Sequence, residues 1–175
     1  TAGNALLEDL GIYKLTEPAL QPLGLVLLDT GRNLDGTTVG ISYRRSLCSS
    51  RFGVGLSEAR STLTTDSLIG AHEIGHIFGA PHDGESGSAC ESTPRTFLMA
   101  PNVNGSSTFS ACSLEQMQPE IDSASCLKTV QSVDVGIDLM PSATTVNERD
   151  SFSMTVVIAN EGADPAEGVT ARVDI

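Results

Sequence analysis

Basic residues are scarce in this chain: ten Lys and Arg stand against 22 Asp and Glu, a formal net charge of −12 over 175 residues. So little positive charge argues against nucleic acid or anionic lipid as a partner, and the acidity itself reads as plain solubility rather than as a binding surface. No apolar run is long enough to cross a membrane, so no membrane-spanning segment is expected here. An initiator Met and a secretory leader are both missing, and the chain stops at Ile175 inside a strand-like run. It is therefore read as a piece of a longer polypeptide, and the missing leader says nothing about destination. No internal repeat is found, and the four cysteines contain no CxxC pair.

Histidine is also rare, but all three fall in one stretch, His72-Glu73-Ile74-Gly75-His76-Ile77-Phe78-Gly79-Ala80-Pro81-His82-Asp83. On a helix of 3.6 residues per turn His72 and His76 project from one face, one above the other. Two neutral imidazoles so placed can share one ion at about 2.0–2.1 Å, the usual zinc–nitrogen distance. Glu73 points to the same side and can reach a water on the metal. Gly79 ends the helix by turning the chain through a left-handed conformation, and Pro81 keeps it from resuming. The turn returns His82 as a third ligand and leaves a fourth position open, which marks a catalytic rather than a structural zinc site. HExxH alone is a weak signal, since two histidines one turn apart can be a solvated face. HExxHxxGxxH fixes five positions, each with a mechanical reason, and the site reading wins.

Cys48, Cys90, Cys112 and Cys126 can be zinc ligands, buried thiols or two disulfides. The histidines complete a site without them, so disulfides and an oxidising, extracellular compartment are the better reading. One zinc ion is expected, and calcium is not indicated. Asp29 and Asp35 read as loop and capping residues, and Glu58, Arg60, Arg44 and Arg45 as solvated. Asn104-Gly105-Ser106 fits a glycosylation sequon but reads as a turn.

Along the chain, residues 5–14 read as a short helix ended by Pro18 and Pro22. Gly24–Asp29 reads as a strand buried on both faces, Thr38–Arg44 as a half-exposed strand, and Phe52–Ser57 as a strand whose glycines admit close backbone approach. The motif helix should start near Asp66 or Ser67, with Leu68, Ile69, Ile74 and Ile77 toward the core. Irregular chain follows to about residue 112. A capping box at Ser113-Leu114-Glu115-Gln116 signals a last helix, with Pro119 either kinking it or delaying its start. Residues 127–132 read as a linker. Val133–Leu139, Ser151–Ala159 and Val169–Ile175 have the spacing of sandwich strands, three being too few to close one.

The long histidine pattern and its flanks resemble the metzincin zinc proteases, in particular the adamalysin or reprolysin type found in snake venoms, ADAM proteins and secreted bacterial enzymes. Asp83 directly after the third histidine is characteristic of that branch. The run Thr30 to Tyr43 followed by Cys48 resembles the family's strand, loop and edge strand. Leu98-Met99-Ala100-Pro101 resembles its Met-turn, and Phe109 to Leu114 with Cys126 resembles its closing helix and terminal cysteine. The resemblance covers roughly Gly24 to Leu127.

It implies His72, His76 and His82 as metal ligands, Glu73 as general base, Met99 beneath the metal, and Cys48–Cys126 and Cys90–Cys112 as disulfides. Asp83 is expected to hydrogen bond behind the ligands, and Val39, Gly40, Ile41, Ser42 and Tyr43 to form the edge strand that pairs with substrate. The implied fold is an α+β metzincin catalytic domain over residues 1–130, N-terminally truncated, with a twisted sheet, an active-site helix and an irregular C-terminal subdomain. Residues 131–175 resemble the start of an Ig-like β-sandwich of bacterial surface and secreted proteins. The implied function is an extracellular or cell-surface zinc metalloendopeptidase acting on protein or peptide substrates. The rival is a surface adhesin or binding module on a protease-like domain that no longer cuts. A purely structural zinc site would need a fourth protein ligand, with Asp83 the only near candidate.

Overall fold

The computed structural model describes residues 2–127, 133–145, 147–162 and 164–172. The chain divides into two compact units, Thr1–Lys128 and Thr129–Ile175. The first contains α1 (Gly3–Thr16), β1 (Val26–Thr30), β2 (Gly40–Ser42), β3 (Val54–Glu58), α2 (Leu63–Ile77) and α3 (Ala111–Ser123). The second contains the antiparallel pair β4 (Val135–Pro141) and β5 (Met154–Asn160).

The sheet of the first unit has the order β1-β3-β2, with β1 parallel and β2 antiparallel to β3. Alternation along the strands sorts its two faces. Val54 and Leu56 of β3 pack with Leu7 and Leu10 of α1, and Val26 and Ile41 join them. Burying each of these leucines contributes about 1.5–3 kcal/mol. The other face carries Gly55 and Ser57 of β3 opposite Ser42 and Gly40 of β2. With such small residues there, α2 lies close to the sheet: a Cβ on Gly70 would stand 3.0 Å from Leu27 Cδ2, and one on Gly55 3.5 Å from Ile77 Cδ1. The site helix is thus seated on the glycines and serines of β2 and β3, with Leu27 of β1 beside them.

After β2 the chain turns through Arg45, in a left-handed conformation, and closes the end of α2. Arg45 N–H donates to His76 O at 3.0 Å and Ser46 N–H to Ile77 O at 3.1 Å, satisfying carbonyls that a helix end leaves open. The disulfides are Cys48–Cys126 and Cys90–Cys112, the pairing that the resemblance implies.

Several boundaries differ from expectation. β1 is not buried on both faces: it is half-exposed, with Leu28 and Asp29 open, because it has a strand partner on one side only among the described residues. The strand foreseen over Thr38–Arg44 shrinks to Gly40–Ser42, since the turn into Arg45 ends it. α2 starts at Leu63, capped by Thr62 Oγ1 on Thr65 N–H, and not at Asp66. Leu63 is 87% exposed, so the first turn gives the apolar pattern nothing to register. α3 starts before the expected cap, at Ala111, with Ser110 as N-cap and Pro119 inside the helix. Glu58 is not solvated: it is buried and accepts Leu34 N–H at 2.5 Å. Residues 169–172 of the third tail run form no strand; residues 173–175, and most of the expected linker (128–132), lie outside the described residues.

Candidate metal centre and active-site cleft

α2 ends in a Schellman turn that builds half of the site. Gly79, at φ 110°, donates its N–H to His76 O at 2.8 Å, and Ala80 N–H reaches Gly75 O at 3.0 Å. Ala80 O in turn accepts from His76 Nδ1 at 2.8 Å. His72 Nδ1 donates to Leu98 O at 2.7 Å, and His82 Nδ1 to Glu85 Oε2 at 2.9 Å. With all three protons committed at Nδ1, each Nε2 presents a lone pair.

Those lone pairs converge. His82 Nε2 lies 3.3 Å from His72 Nε2 and 3.2 Å from His76 Nε2, and the three side chains offer ligand atoms within 4.8 Å of one another. Tetrahedral ligands about 2.0–2.1 Å from zinc stand about 3.3–3.4 Å apart. Burial lowers the pKa of His72, and lowers that of His76 to about 3, with the neighbouring imidazoles adding to the shift. Both are neutral at neutral pH, the form a metal requires. Three imidazole lone pairs aimed at one point repel each other and suit a shared cation; the residues fit zinc.

Glu73 sits beside them, 5% exposed, held from the sheet. Ser42 Oγ donates to its Oε2 at 2.7 Å. A Cβ on Gly40 would collide with Glu73 Oε1 and stand 2.8 Å from its Cγ, so only glycine leaves the carboxylate its seat. Burial pushes the Glu73 pKa up to about 7, opposed by the Ser42 hydroxyl.

Met99 is fully buried beneath α2. A Cβ on Gly75 would stand 2.7 Å from Met99 Sδ and 2.8 Å from Phe109 Cε1, which explains the glycine within the motif. Asp83 is fully buried but bonds no imidazole. Its N–H donates to Met99 O at 2.8 Å, and Oδ1 accepts from Ser110 Oγ at 2.9 Å and Ser113 Oγ at 3.3 Å. The expected support behind the ligands is thus a tie between the third-ligand loop, the turn at Met99 and the start of α3. Asp83 acts on His72 through space, its charge raising that pKa.

A cavity of about 260 Å³ opens beside His72, Glu73 and His82, walled by Val39, Leu68, Ile69, Leu98 and Val103. Leu68, expected in the core, lines this cavity while Ile69 and Ile77 are buried. Asn104 shapes its far wall: Nδ2 donates to Arg95 O and Phe97 O, and Oδ1 accepts Ser106 N–H. The amide of the sequon is committed to a turn.

A reprolysin-type model of metallo-peptidase family M12 matches residues 21–110, or 90 of the 175. The chain belongs to metallo-peptidase family M12. Among relatives of this M12 chain, the snake venom metalloproteinase acutolysin-C of Deinagkistrodon acutus is 35% identical over 94 residues, covering 52% of this chain and 22% of its own length. The snake venom metalloproteinase TM-1 of Protobothrops mucrosquamatus is 34% identical over 94 residues, covering 52% of this chain and 45% of its own. Trimerelysin-2, a snake venom metalloproteinase of Protobothrops flavoviridis, is 28% identical over 120 residues, covering 67% and 59%. The chain thus spans less than half the length of the first two.

In this M12 chain, sequence reading missed the supports: Ser42 and Gly40 as the seat of Glu73, Gly75 as the gap for Met99, and Glu85 behind His82. The period of β2 could have found the first two, because Gly40 and Ser42 share a face. Gly40→Ala is expected to displace the Glu73 carboxylate; a shift of about 1 Å costs on the order of 10²-fold in turnover. Steady-state kcat and zinc content check this: kcat near wild type would show that β2 does not confine the carboxylate.

Proposed function

We propose that the chain carries the catalytic machinery of an extracellular zinc endopeptidase. The observation that supports it is the convergence of three imidazole Nε2 atoms, those of His72 and His76 lying 3.3 and 3.2 Å from that of His82, beside a buried carboxylate and a cavity lined by both apolar and polar side chains. His72, His76 and His82 would hold one zinc ion. Zinc, when bound, supplies Lewis acidity, polarising a carbonyl and acidifying water.

The remaining work falls to the chain. Glu73 takes a proton from water as the water oxygen bonds to the scissile carbonyl carbon. It then passes that proton to the leaving nitrogen as the C–N bond breaks. Ser42 holds the carboxylate in place. Substrate pairs in extended form with β2, around Val39 to Tyr43, since β2 is an edge strand of the sheet among the described residues. The cavity walled by Val39, Leu68 and Val103 takes an apolar substrate side chain.

The extracellular setting is supported by two disulfides and by relatives named as venom proteinases. Among the described residues no helix is long and apolar enough to cross a membrane. We read the β4–β5 pair, with Ile137, Leu139, Val157 and Ile158 exposed, as part of an Ig-like sandwich.

The test is digestion of casein with and without a chelator. Cleavage that stops on chelation and returns with zinc supports the reading. Zinc bound with casein intact would favour a binding module that does not cut.

A further inference from the structure

The three imidazoles are not fixed alike. His72 and His76 donate their Nδ1 protons to backbone carbonyls, of Leu98 and Ala80. His82 donates to a carboxylate, Glu85 Oε2, at 2.9 Å, and Glu85 is half-exposed while His82 is largely covered. A carboxylate behind a ligand imidazole does two things that a carbonyl does less well. It makes Nε2 a stronger donor by drawing the Nδ1 proton, and it brings a negative charge toward the cation.

The loop that presents Glu85 is built rather than loose. Gly84, at φ 69°, donates its N–H to Cys90 O at 2.9 Å, and Arg95 grips Gly84 O through Nε at 3.0 Å and a terminal nitrogen at 2.7 Å. Ser88 Oγ donates to His82 O at 2.6 Å, and Glu91 accepts from Ser86 Oγ at 3.2 Å and Gly87 N–H at 3.1 Å. Cys90, at the end of this loop, is tied to Cys112 of α3. Glu85 therefore starts from a fixed backbone three residues beyond His82, its carbonyl held by Ser88 N–H at 3.1 Å, and among the described residues its carboxylate hydrogen bonds to His82.

We infer that Glu85 is a positioning residue for the metal: it fixes the tautomer and plane of His82 and raises the affinity of the site for zinc. The inference rests on the zinc reading above. It assigns a role to a residue outside the histidine pattern, and it makes zinc affinity adjustable at a position that neither lines the cavity beside Glu73 nor handles the reacting proton.

Competition of the full chain with a chromogenic chelator for zinc tests this, with no peptide hydrolysis involved. Glu85→Ala should weaken zinc binding by about 10–100-fold, the usual effect of losing such a partner. Glu85→Gln keeps an acceptor for Nδ1–H without the charge and should fall between alanine and wild type. Metal-free melting temperature should be unchanged in both, since Glu85 is half-exposed. Equal zinc affinity in wild type and Glu85→Ala overturns the role of Glu85 and leaves the three-histidine site standing. No zinc binding by the wild type overturns both.

Discussion

Glu73→Ala is expected to leave zinc bound and to lower peptide hydrolysis by at least about 10²–10⁴-fold, the range for removing a positioned acid–base group. Three features make this a test of chemistry rather than of folding. Among the described residues the Glu73 carboxylate hydrogen bonds to the Ser42 hydroxyl and to none of the three imidazoles, so the histidines keep their own supports. Burial already disfavours its charge, so removing the carboxylate does not remove a stabilising ion pair. The space it vacates lies against Gly40, on the edge strand rather than in the α1 core. Turnover at the wild-type rate with zinc present would remove Glu73 from the mechanism. Zinc content by metal analysis and peptide hydrolysis on the same sample read the two halves separately.

The second large effect concerns the ligands. His76→Ala removes one of three converging donors and should abolish both stable zinc binding and hydrolysis. Zinc at about a thousandfold over its Kd stabilises the folded chain by about 4 kcal/mol. That zinc-dependent rise in melting temperature should vanish in the variant.

The metal-free chain adds a pH dependence of known sign. His76 is protonated near pH 6.5 when unfolded, but only near about 3 in the fold, because burial penalises its charge. Between those values the unfolded chain binds more protons, so stability falls as pH falls, by up to about 1.4 kcal/mol per pH unit for this group. His72, shifted in the same direction, adds to the slope. Denaturation of chelated protein from pH 7 to 4 should show a shallower slope for His76→Ala. An identical slope would mean that His76 is not buried neutral.

The convergence of the three histidines was legible because each position in HExxHxxGxxH has a local reason: helical spacing, a chain reversal and a return. The structure places those residues together with no long-range information needed beyond the helix and its turn. What holds them was hidden. Leu98 and Ala80 act through carbonyl oxygens, which the sequence does not mark by residue type. Ser42 and Gly40 meet Glu73 only because β2 pairs with β3 in one register and α2 crosses that face. The starts of α2 and α3 were misjudged for a different reason. Ser61-Thr62 and Ser110 offer the same capping oxygens as the residues chosen, and exposed Leu63 gives no apolar beat to separate them. Buried Lys14, with Nζ on Ser49 O and Ser50 O, is held by carbonyls that residue type does not mark either.

The backbone of Ala80 serves two masters: its N–H closes α2 on Gly75 O, and its carbonyl fixes the ring of His76. Fraying of that last turn would therefore free the His76 ring as well. Local opening, which in most helices starts at the ends, would here be opposed by an ion on His76. Loading an ion would suppress excursions at residues 75–80 before it altered anything in the sheet.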